Sequence, residues 1–340
     1  MSDEPELRDG PPWAMEEMIL DEPDLVEPIL ASRAAAEAGR LVRAALAAGE
    51  PVVLTGCGTS EHAAQAGAAL LCEAHATRSI VARDAFEAAL DPQEGGVIVG
   101  VSHEAGTAAT RAALHAADAR EARTVMVTAH PGRAPDGAMI VATPVHDTSW
   151  CHTVGYLSPL LAFLGMAGAA AAAAAAKRAV AAGLAERPRL AEAAAHLAGC
   201  ERLLAVGGGA DEITARELAL KVEEAAHVPV TPLGTEKLLH GHLPAAGPAT
   251  GLVLLGFDRR GGEARDARAR DAAAAAVVLG MPTVTLDATA DGLSPAAAAL
   301  VSGAIALQLL TLELTLALGT NPDLIRREEP VYRAAAEAAG

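Results

Sequence analysis

Aromatic residues are scarce, at 2% of the 340 residues, so the interior cannot depend on large rings. Ala, Val and Leu must fill it instead, and such small side chains suit helices packed closely on a sheet. Apolar residues make up 51% of the chain. A chain of this length and composition predicts two α/β units rather than one small core.

Positive charge is also scarce: 26 Lys and Arg stand against 43 Asp and Glu, which gives a net charge of −17. Nucleic acids and anionic membrane surfaces are bound by clustered Lys and Arg, so we expect neither as a partner. A small anionic ligand is still compatible with this charge, because backbone N–H groups alone can bind phosphate.

Cysteine is rare and no CxxC pair occurs; the four residues are Cys57, Cys72, Cys151 and Cys200. Their spacing fits neither a zinc site nor a disulfide framework, so we expect reduced thiols and a cytoplasmic location. The first residues lack the basic start and apolar stretch of a signal peptide. Residues 157–176 are nearly free of charge, but Ala and Gly insert poorly into membranes, so a buried helix is predicted there.

Short apolar strands alternate with helical segments along the whole chain. The predicted strands are 51–54, 96–101, 123–128 and 139–142 in the first half, and 202–206, 251–255 and 281–286 in the second. This alternation predicts an α/β fold with a parallel sheet in each half, covered by helices on both faces. Long apolar helices are predicted to close the halves at 153–176 and 294–319. The repeated pattern indicates an internal duplication.

A Gly-rich turn follows the first predicted strand of each half, at 56–60 and 207–211. Such a turn exposes backbone N–H groups and the next helix adds the positive end of its dipole, so each turn is predicted to bind an anion. Thr59 and Ser60 could add hydroxyl donors. The alternative is a tight turn with a Ser cap and no ligand. A second hydroxyl-bearing loop, 102–107, ends the next strand, and neighbouring strand ends share one crevice, which favours a ligand site.

Several segments resemble the sugar isomerase (SIS) domain family, in particular the tandem-SIS isomerase half of glucosamine-6-phosphate synthase and its stand-alone isomerase, deaminase and deglycase relatives. The segments are GCGTS at 56–60, SHEAGT at 102–107, ARELALKVEE at 215–224, EKLLHG at 236–241, GTNPD at 319–323 and, loosely, MILDEP at 18–23. The resemblance implies two tandem doubly wound, flavodoxin-like parallel-sheet sandwiches. It divides the chain into an N-terminal arm (1–35), two SIS domains (36–180 and 181–325) and a tail (326–340).

The resemblance also implies which residues bind and which react. The substrate-binding residues that it implies are Gly56, Cys57, Gly58, Thr59, Ser60, Ser102, His103, Glu104 and Thr107. Glu224 would move a proton between C1 and C2 of the sugar, with Lys221 beside it. His240 would help to open the sugar ring from across a homodimer interface. The resemblance implies no cofactor and no metal.

The residue chemistry is consistent with this reading. Aldose–ketose interconversion needs a base that moves a proton between neighbouring carbons and a cation for the enediolate oxygen. Glu217, Lys221 and Glu224 lie on one helical face, although the same spacing is common on solvent-facing, salt-bridged helices. His240 and His242 could be a metal pair, but no nearby residue pattern completes such a site, so a catalytic or loop histidine is favoured.

The chain departs from the family pattern at three places. Glu104 replaces a Ser of the second loop, where a carboxylate would repel phosphate; it turns away, pairs with His103, or meets a substrate without phosphate there. The family's tail Lys aligns with Pro330, which leaves Arg326 and Arg327 as substitutes. No glutaminase segment and no Cys at position 2 are present, so glutamine-dependent synthesis is not expected.

The predicted function is therefore an aldose–ketose isomerase or amino-sugar deaminase acting on a sugar or sugar phosphate through an enediol. The alternative is a non-catalytic sugar-phosphate sensor. Such a sensor keeps the anion loops and loses the base, whereas Glu224, Lys221 and His240 are all present here.

Overall fold

The computed structural model describes residues 8–339, which form two parallel sheets. The first sheet contains β1 (Val52–Gly56), β2 (Ile80–Asp84), β3 (Val97–Val101), β4 (Arg123–Thr128) and β5 (Met139–Ala142), in the order β2-β1-β3-β4-β5. The second contains β6 (Arg202–Gly207), β7 (Val230–Gly234), β8 (Thr250–Leu255) and β9 (Thr283–Leu286), in the order β7-β6-β8-β9. All neighbouring strands are parallel, which confirms the predicted α/β fold with two tandem doubly wound sheets.

Helices cover both sheets. In the first half they are α1 (Ala14–Leu30), α2 (Arg33–Ala48), α3 (Thr59–Ala74), α4 (Ala85–Leu90), α5 (Ala108–Asp118) and α6 (Val154–Met166). In the second half they are α7 (Ala173–Ala185), α8 (Arg187–Leu197), α9 (Asp211–Ala225), α10 (Thr235–Lys237), α11 (Gly262–Val278), α12 (Pro295–Leu318) and α13 (Pro330–Ala339). Short helical turns lie at Pro131–Arg133, Ala169–Ala172, Leu238–His242 and Leu243–Ala245.

The two sheets repeat one order of strands, so the predicted duplication is visible in three dimensions. In both, the first strand lies between the second and the third, and the fourth pairs outside the third. Strand β1 therefore corresponds to β6, β3 to β8, and helix α3 to α9. Only β5 has no counterpart among the residues described. The loops that follow β1 and β3, and those that follow β6 and β8, occupy matching positions at the carboxyl edges of their sheets.

Two strands and several helix ends differ from the sequence prediction. The edge strands β2 and β7 were not predicted: β2 is half-exposed and β7 contains Pro232, as an edge strand allows. The apolar stretch 153–176 is not one helix, because α6 ends at Met166 and Gly168 has φ of +83°. In the N-terminal arm, α1 begins at Ala14 and contains Pro23 and Pro28.

The core is built around two apolar helices. Every residue of α6 is buried, and α12 packs against α7, α8 and α9. Helix α12 is also long and apolar enough to cross a bilayer, with 24 residues and a mean hydropathy of 1.8 in its most apolar window, but 89% of that window is buried inside the protein. Burial of this kind is what the central helix of a layered α/β core requires.

Candidate active site

The turn after β1 is open. Gly58 has φ of +56° and ψ of −128°, a conformation that side chains other than glycine rarely adopt. The nearest heavy atom to a Cβ at this position would be Cδ2 of Leu220, 3.7 Å away. Helix α3 begins at Thr59 and no side chain caps it, so the predicted alternative of a Ser-capped turn does not describe this structure. The positive end of α3 faces a space rather than a side chain of its own turn.

The loop after β3 lies beside this turn. The hydroxyls of Ser102 and Thr107 are 3.1 Å apart. Ser102 itself is 1% exposed, so it holds Thr107 rather than facing the cavity. Helix α5 begins directly after Thr107 and is not capped by that side chain. Two helix starts, those of α3 and α5, therefore meet at one edge of the first sheet, as the sequence predicted.

A cavity of about 460 Å³ joins these loops to helix α9. Of the predicted site residues, those that line it are Cys57, Gly58, Thr59, Ser60, His103, Glu104, Thr107, Lys221 and Glu224. Gly56 and Ser102 lie behind the wall. His240 is not among the lining residues: its side chain is 73% exposed and its Nε2 lies 3.0 Å from Glu236. The structure thus brings together the two loops and the Lys221–Glu224 pair within one chain, and leaves His240 outside.

Lys221 and Glu224 lie on the buried face of α9. The Lys221 side chain is 1% exposed, and its Nζ donates a hydrogen bond of 2.5 Å to Glu224 Oε2. A second carboxylate, Glu217, is fully buried with Oε1 3.8 Å from Nζ. Burial alone would lower the pKa of Lys221, but the two carboxylates raise it well above its usual value. The sequence alternative of a solvent-facing ion-paired helix is therefore wrong for this face, and the ammonium stays charged.

Glu217 connects this helix to α3. Its Oε2 lies 2.7 Å from Nδ1 of His62. Although burial would raise the pKa of Glu217, Lys221, His62 and the Thr59 hydroxyl lower it below its usual value. Glu217 is thus an ionised carboxylate that fixes the ammonium from the side opposite Glu224. Because Thr59 belongs to the first turn, its contact with Glu217 connects that turn directly to the Lys221–Glu224 pair.

Glu104 does not pair with His103, which was one of the three courses that the sequence left open. Its Oε2 accepts a hydrogen bond of 3.0 Å from Arg133 Nη1, and its Oε1 lies 3.5 Å from His146 Nε2. The carboxylate nevertheless remains on the cavity wall, with 32% of its side chain exposed. Its charge is therefore balanced from the side away from the first turn.

Four histidines near Glu104 form a cluster of ring contacts. His103 stacks on His146 with ring centres 5.1 Å apart and lies 4.8 Å from His152; His130 meets His146 edge-on at 4.4 Å. The backbone N–H of Asp147 donates to His103 Nε2 at 2.8 Å, so in the neutral ring Nδ1 carries the proton. Burial, and then the neighbouring His152, lower the pKa of His103 to about 3. Burial and Lys221 do the same for His152, also to about 3.

The tail contributes one arginine to the cavity. Arg327 lines it and its guanidinium stacks on Trp150, 4.8 Å from the ring centre. Arg326 points elsewhere, because Glu329 binds its guanidinium at 2.7 and 2.9 Å and Tyr332 lies under it at 3.8 Å. Of the two substitutes that the sequence offered for the missing tail lysine, only Arg327 reaches the site. Trp150, His152 and Ile325 also line the cavity and were not predicted, because they come from irregular segments without a recognisable spacing.

The turn after β6 is filled by its own chain. Asp258, which is fully buried, accepts hydrogen bonds from the backbone N–H of Ala210 at 2.8 Å and of Arg260 at 3.0 Å. A Cβ on Gly209 would collide with Oδ2 of this carboxylate. The prediction of an anion-binding turn in each half is therefore wrong for the second half as a ligand site: the anion there is Asp258. A cavity of about 580 Å³ borders this turn and is lined by Arg260, Glu73 and Arg78 among others.

Comparison with known proteins identifies the fold through solved structures alone. No protein-family model and no curated protein matches the chain. Solved structures do match: the C-terminal domain of glucosamine-fructose-6-phosphate aminotransferase from Francisella tularensis has a TM-score of 0.76 at 17% identity, over 94% of this chain and 99% of its own. Tagatose-6-phosphate ketose/aldose isomerase from Escherichia coli has a TM-score of 0.77 at 17% identity, over 92% of this chain and 95% of its own.

A third neighbour is glucosamine-6-phosphate deaminase from Thermotoga maritima, with a TM-score of 0.67 at 16% identity, over 92% of this chain and 97% of its own. At these identities the likeness shows the fold alone. The chain has the tandem SIS fold that its sequence motifs implied, and it spans nearly the full length of each of these neighbours.

Proposed function

With the tandem SIS fold as the premise, we propose that the cavity between the first-half loops and α9 binds a sugar phosphate or a related acidic or amino sugar. There it catalyses aldose–ketose isomerisation or deamination through an enediol. The observation that carries this proposal is the Lys221–Glu224 pair on the wall of a cavity that also holds the Gly58–Ser60 turn. Three structural neighbours that are named for sugar phosphates, an aminotransferase, an isomerase and a deaminase, support the same class of ligand.

The anionic group of the substrate fits the end of the cavity formed by the two helix starts. Backbone N–H groups at the start of α3 and the hydroxyls of Ser60 and Thr107 are donors for phosphate oxygens, whereas the Thr59 hydroxyl is bound to Glu217. Arg327 adds a cation on the tail side of the same cavity. It is our candidate for the role of the family's tail lysine, whose aligned position is Pro330.

Glu224 is our candidate for the base. Its side chain is 24% exposed, so it is reachable from the cavity, and a carboxylate can take a proton from C2 and return it to C1. Lys221, held charged between Glu224 and Glu217, would stabilise the oxygen on which negative charge develops. In a deaminase the same proton transfer would pass through an enaminol to an imine at C2, which water would hydrolyse to the ketose with release of ammonia.

Proton exchange tests this assignment directly. In D2O with fructose 6-phosphate or glucosamine 6-phosphate, the protein should introduce deuterium at C1 or C2. Glu224→Gln should slow exchange at least about 100-fold, while the ligand still raises the melting temperature. The matched control is Glu223→Gln, because Glu223 is exposed and a glutamine can still accept the hydrogen bond from Val230 N–H. Full exchange by the Glu224→Gln variant would remove Glu224 from the mechanism.

A non-catalytic sensor is the second candidate. It is favoured by Glu104 on the cavity wall, since a carboxylate near the anion site suits a changed ligand or a site that has lost turnover. It predicts ligand-induced thermal stabilisation without deuterium incorporation for any sugar in a panel with and without phosphate. Exchange with any one of them excludes it.

His240 enters the proposal through a homodimer. Its exposed position in one chain is compatible with delivery to the partner's cavity. If so, a mixture of the inactive variants Glu224→Gln and His240→Ala should recover about a quarter of the wild-type activity after subunit exchange, because half of the dimers then hold one intact site. An inactive mixture that contains the mixed dimer would overturn the shared site.

A further inference from the structure

One cluster of side chains beside the cavity has a composition that the proposed sugar chemistry does not use. The carboxylate of Glu104 and the imidazoles of His130 and His146 each offer a ligand atom within 4.8 Å of the other two. All three side chains are partly buried. They come from the loops after β3, β4 and β5, so the parallel order of three neighbouring strands brings them to one edge of the sheet.

The donor set selects one class of ligand. Two imidazoles and one carboxylate are the ligands of a first-row transition metal such as Zn²⁺ and leave a coordination position open, whereas Mg²⁺ and Ca²⁺ prefer oxygen alone. We propose that Glu104, His130 and His146 bind a divalent transition-metal ion at the edge of the cavity.

The surroundings hold the three ligands in place. His130 N–H donates to the Thr128 hydroxyl at 3.0 Å, and that hydroxyl in turn donates to the His103 carbonyl at 2.9 Å. The His103 ring stacks on His146 with an angle of 19° between the planes. Metal sites depend on such outer contacts for the orientation of their ligands. His130 Nε2 and His146 Nδ1 share a hydrogen bond of 2.7 Å, so one nitrogen of each ring is already directed to the other ring, and a bound ion would replace that bond.

The Glu104 carboxylate is divided between two tasks. Oε2 accepts from Arg133, and Oε1 is directed to His146. The Arg133 contact orients the carboxylate, as an outer partner orients a metal ligand. It leaves Oε1 3.5 Å from Nε2 of His146 and available to an ion. This proposal differs from the sequence expectation of no metal. Of the three proposed ligands, only Glu104 was among the predicted site residues.

Titration of the metal-stripped, untagged full chain with Co²⁺ tests this proposal without any sugar, so its outcome is independent of the proposed function. We expect the visible absorption of Co²⁺ with nitrogen ligands to saturate at a single equivalent per chain and to disappear when Zn²⁺ is added. His146→Ala, His130→Gln and Glu104→Gln should each weaken binding at least about 100-fold. Thermal unfolding of each variant identifies any that fails to fold, and one folded variant of the three suffices.

The matched control is His242→Ala. His242 is exposed and belongs to the His240–His242 pair, the other arrangement that the sequence offered. It should bind Co²⁺ as the wild type does. The proposal is overturned if wild-type protein takes up no stoichiometric Co²⁺, if the folded cluster variants bind it unchanged, or if His242→Ala abolishes binding.

Discussion

The two halves place an acidic residue at the same point and use it in opposite ways. Glu104 and Asp258 each lie three residues beyond the end of the matching strands, β3 and β8. Asp258 turns into the Gly-rich turn of its own half and accepts the N–H of Ala210 there. Glu104 turns toward Arg133 and His146 and leaves the first turn open. The acidic side chain at this position thus occupies the Gly-rich turn in the second half and is directed away from it in the first half.

Local cations explain the difference. Arg260 donates to Asp258 through Nε at 2.9 Å and follows it by only two residues, so the loop itself carries the partner. The partner of Glu104 is Arg133, which comes from the loop after β4, on the side away from the first turn. The duplication therefore yields one structural turn and one turn available for a ligand, and substitutions in the two should differ in kind.

The largest effect is expected from emptying the second turn. Asp258→Ala should lower the free energy of unfolding by about 3 kcal/mol, because a buried carboxylate with charged and backbone partners is lost. Sulfate should then raise the melting temperature of the variant more than that of the wild type, since an anion can replace the carboxylate. Urea and thermal unfolding measure both. The control is Asp266→Ala, a partly exposed partner of Arg259 at 3.6 Å; equal losses for the two variants would contradict the structural role.

A pH effect should follow from Asp211 in the same turn. Burial and the nearby Asp258 raise its pKa from 3.8 to about 7, so between these values the folded state holds a proton that the unfolded state releases. The stability that protonated Asp211 contributes is therefore fully present below pH 4 and is lost as the pH rises toward 7. Asp211→Asn should gain a few kcal/mol over the wild type between pH 4 and pH 8, at about 1.4 kcal/mol for each pKa unit of the shift. For Glu192→Gln, on the exposed face of α8, the difference in free energy of unfolding from the wild type should not change with pH. The same result for Asp211→Asn would refute the raised pKa of Asp211.

The first turn should respond in binding and not in stability. Ser60→Ala should weaken fructose 6-phosphate about tenfold, for one lost hydrogen bond to a charged group, and change the free energy of unfolding by less than about 0.5 kcal/mol. Ser294→Ala is the opposite case, because Ser294 does cap α12 by accepting from Ala297 N–H. It should cost about 1 kcal/mol of stability and leave binding unchanged. Calorimetry and urea unfolding separate the two; a Ser60→Ala variant that loses only stability would make the first turn structural as well.

The smallest effect concerns Glu104. In metal-free buffer, Glu104→Ser should strengthen binding of fructose 6-phosphate severalfold at most, because the carboxylate it removes is already paired with Arg133 and partly exposed. The gain should shrink as salt is added. Weaker binding by this variant would show that Glu104 contacts the ligand as an acceptor, as an amine or hydroxyl on the sugar would require.

The sequence predicted what repeats and missed what depends on one rotamer or one loop. The seven strands with apolar runs are present, whereas β2 and β7, with Arg83 and Pro232 among their residues, have no such pattern. The first-half loops follow from strand ends. The α9 pair was singled out by the resemblance, because its helical spacing alone is equally common on solvent-facing, salt-bridged helices. The choice between Asp258 and Glu104 does not, because both are acidic residues at one position. His130 and His146 were missed because loops from separate strands carry no shared spacing.

A last feature links segments far apart in the chain. Asp323 accepts hydrogen bonds from the backbone N–H of Ala14 and Met15 at 2.7 and 2.8 Å, across 309 and 308 residues. The same segment leads four residues later to Arg327 in the cavity. The start of α1 thereby holds the segment that carries Arg327, so a substitution at Asp323 would move a cation on the cavity wall although Asp323 does not itself line the cavity.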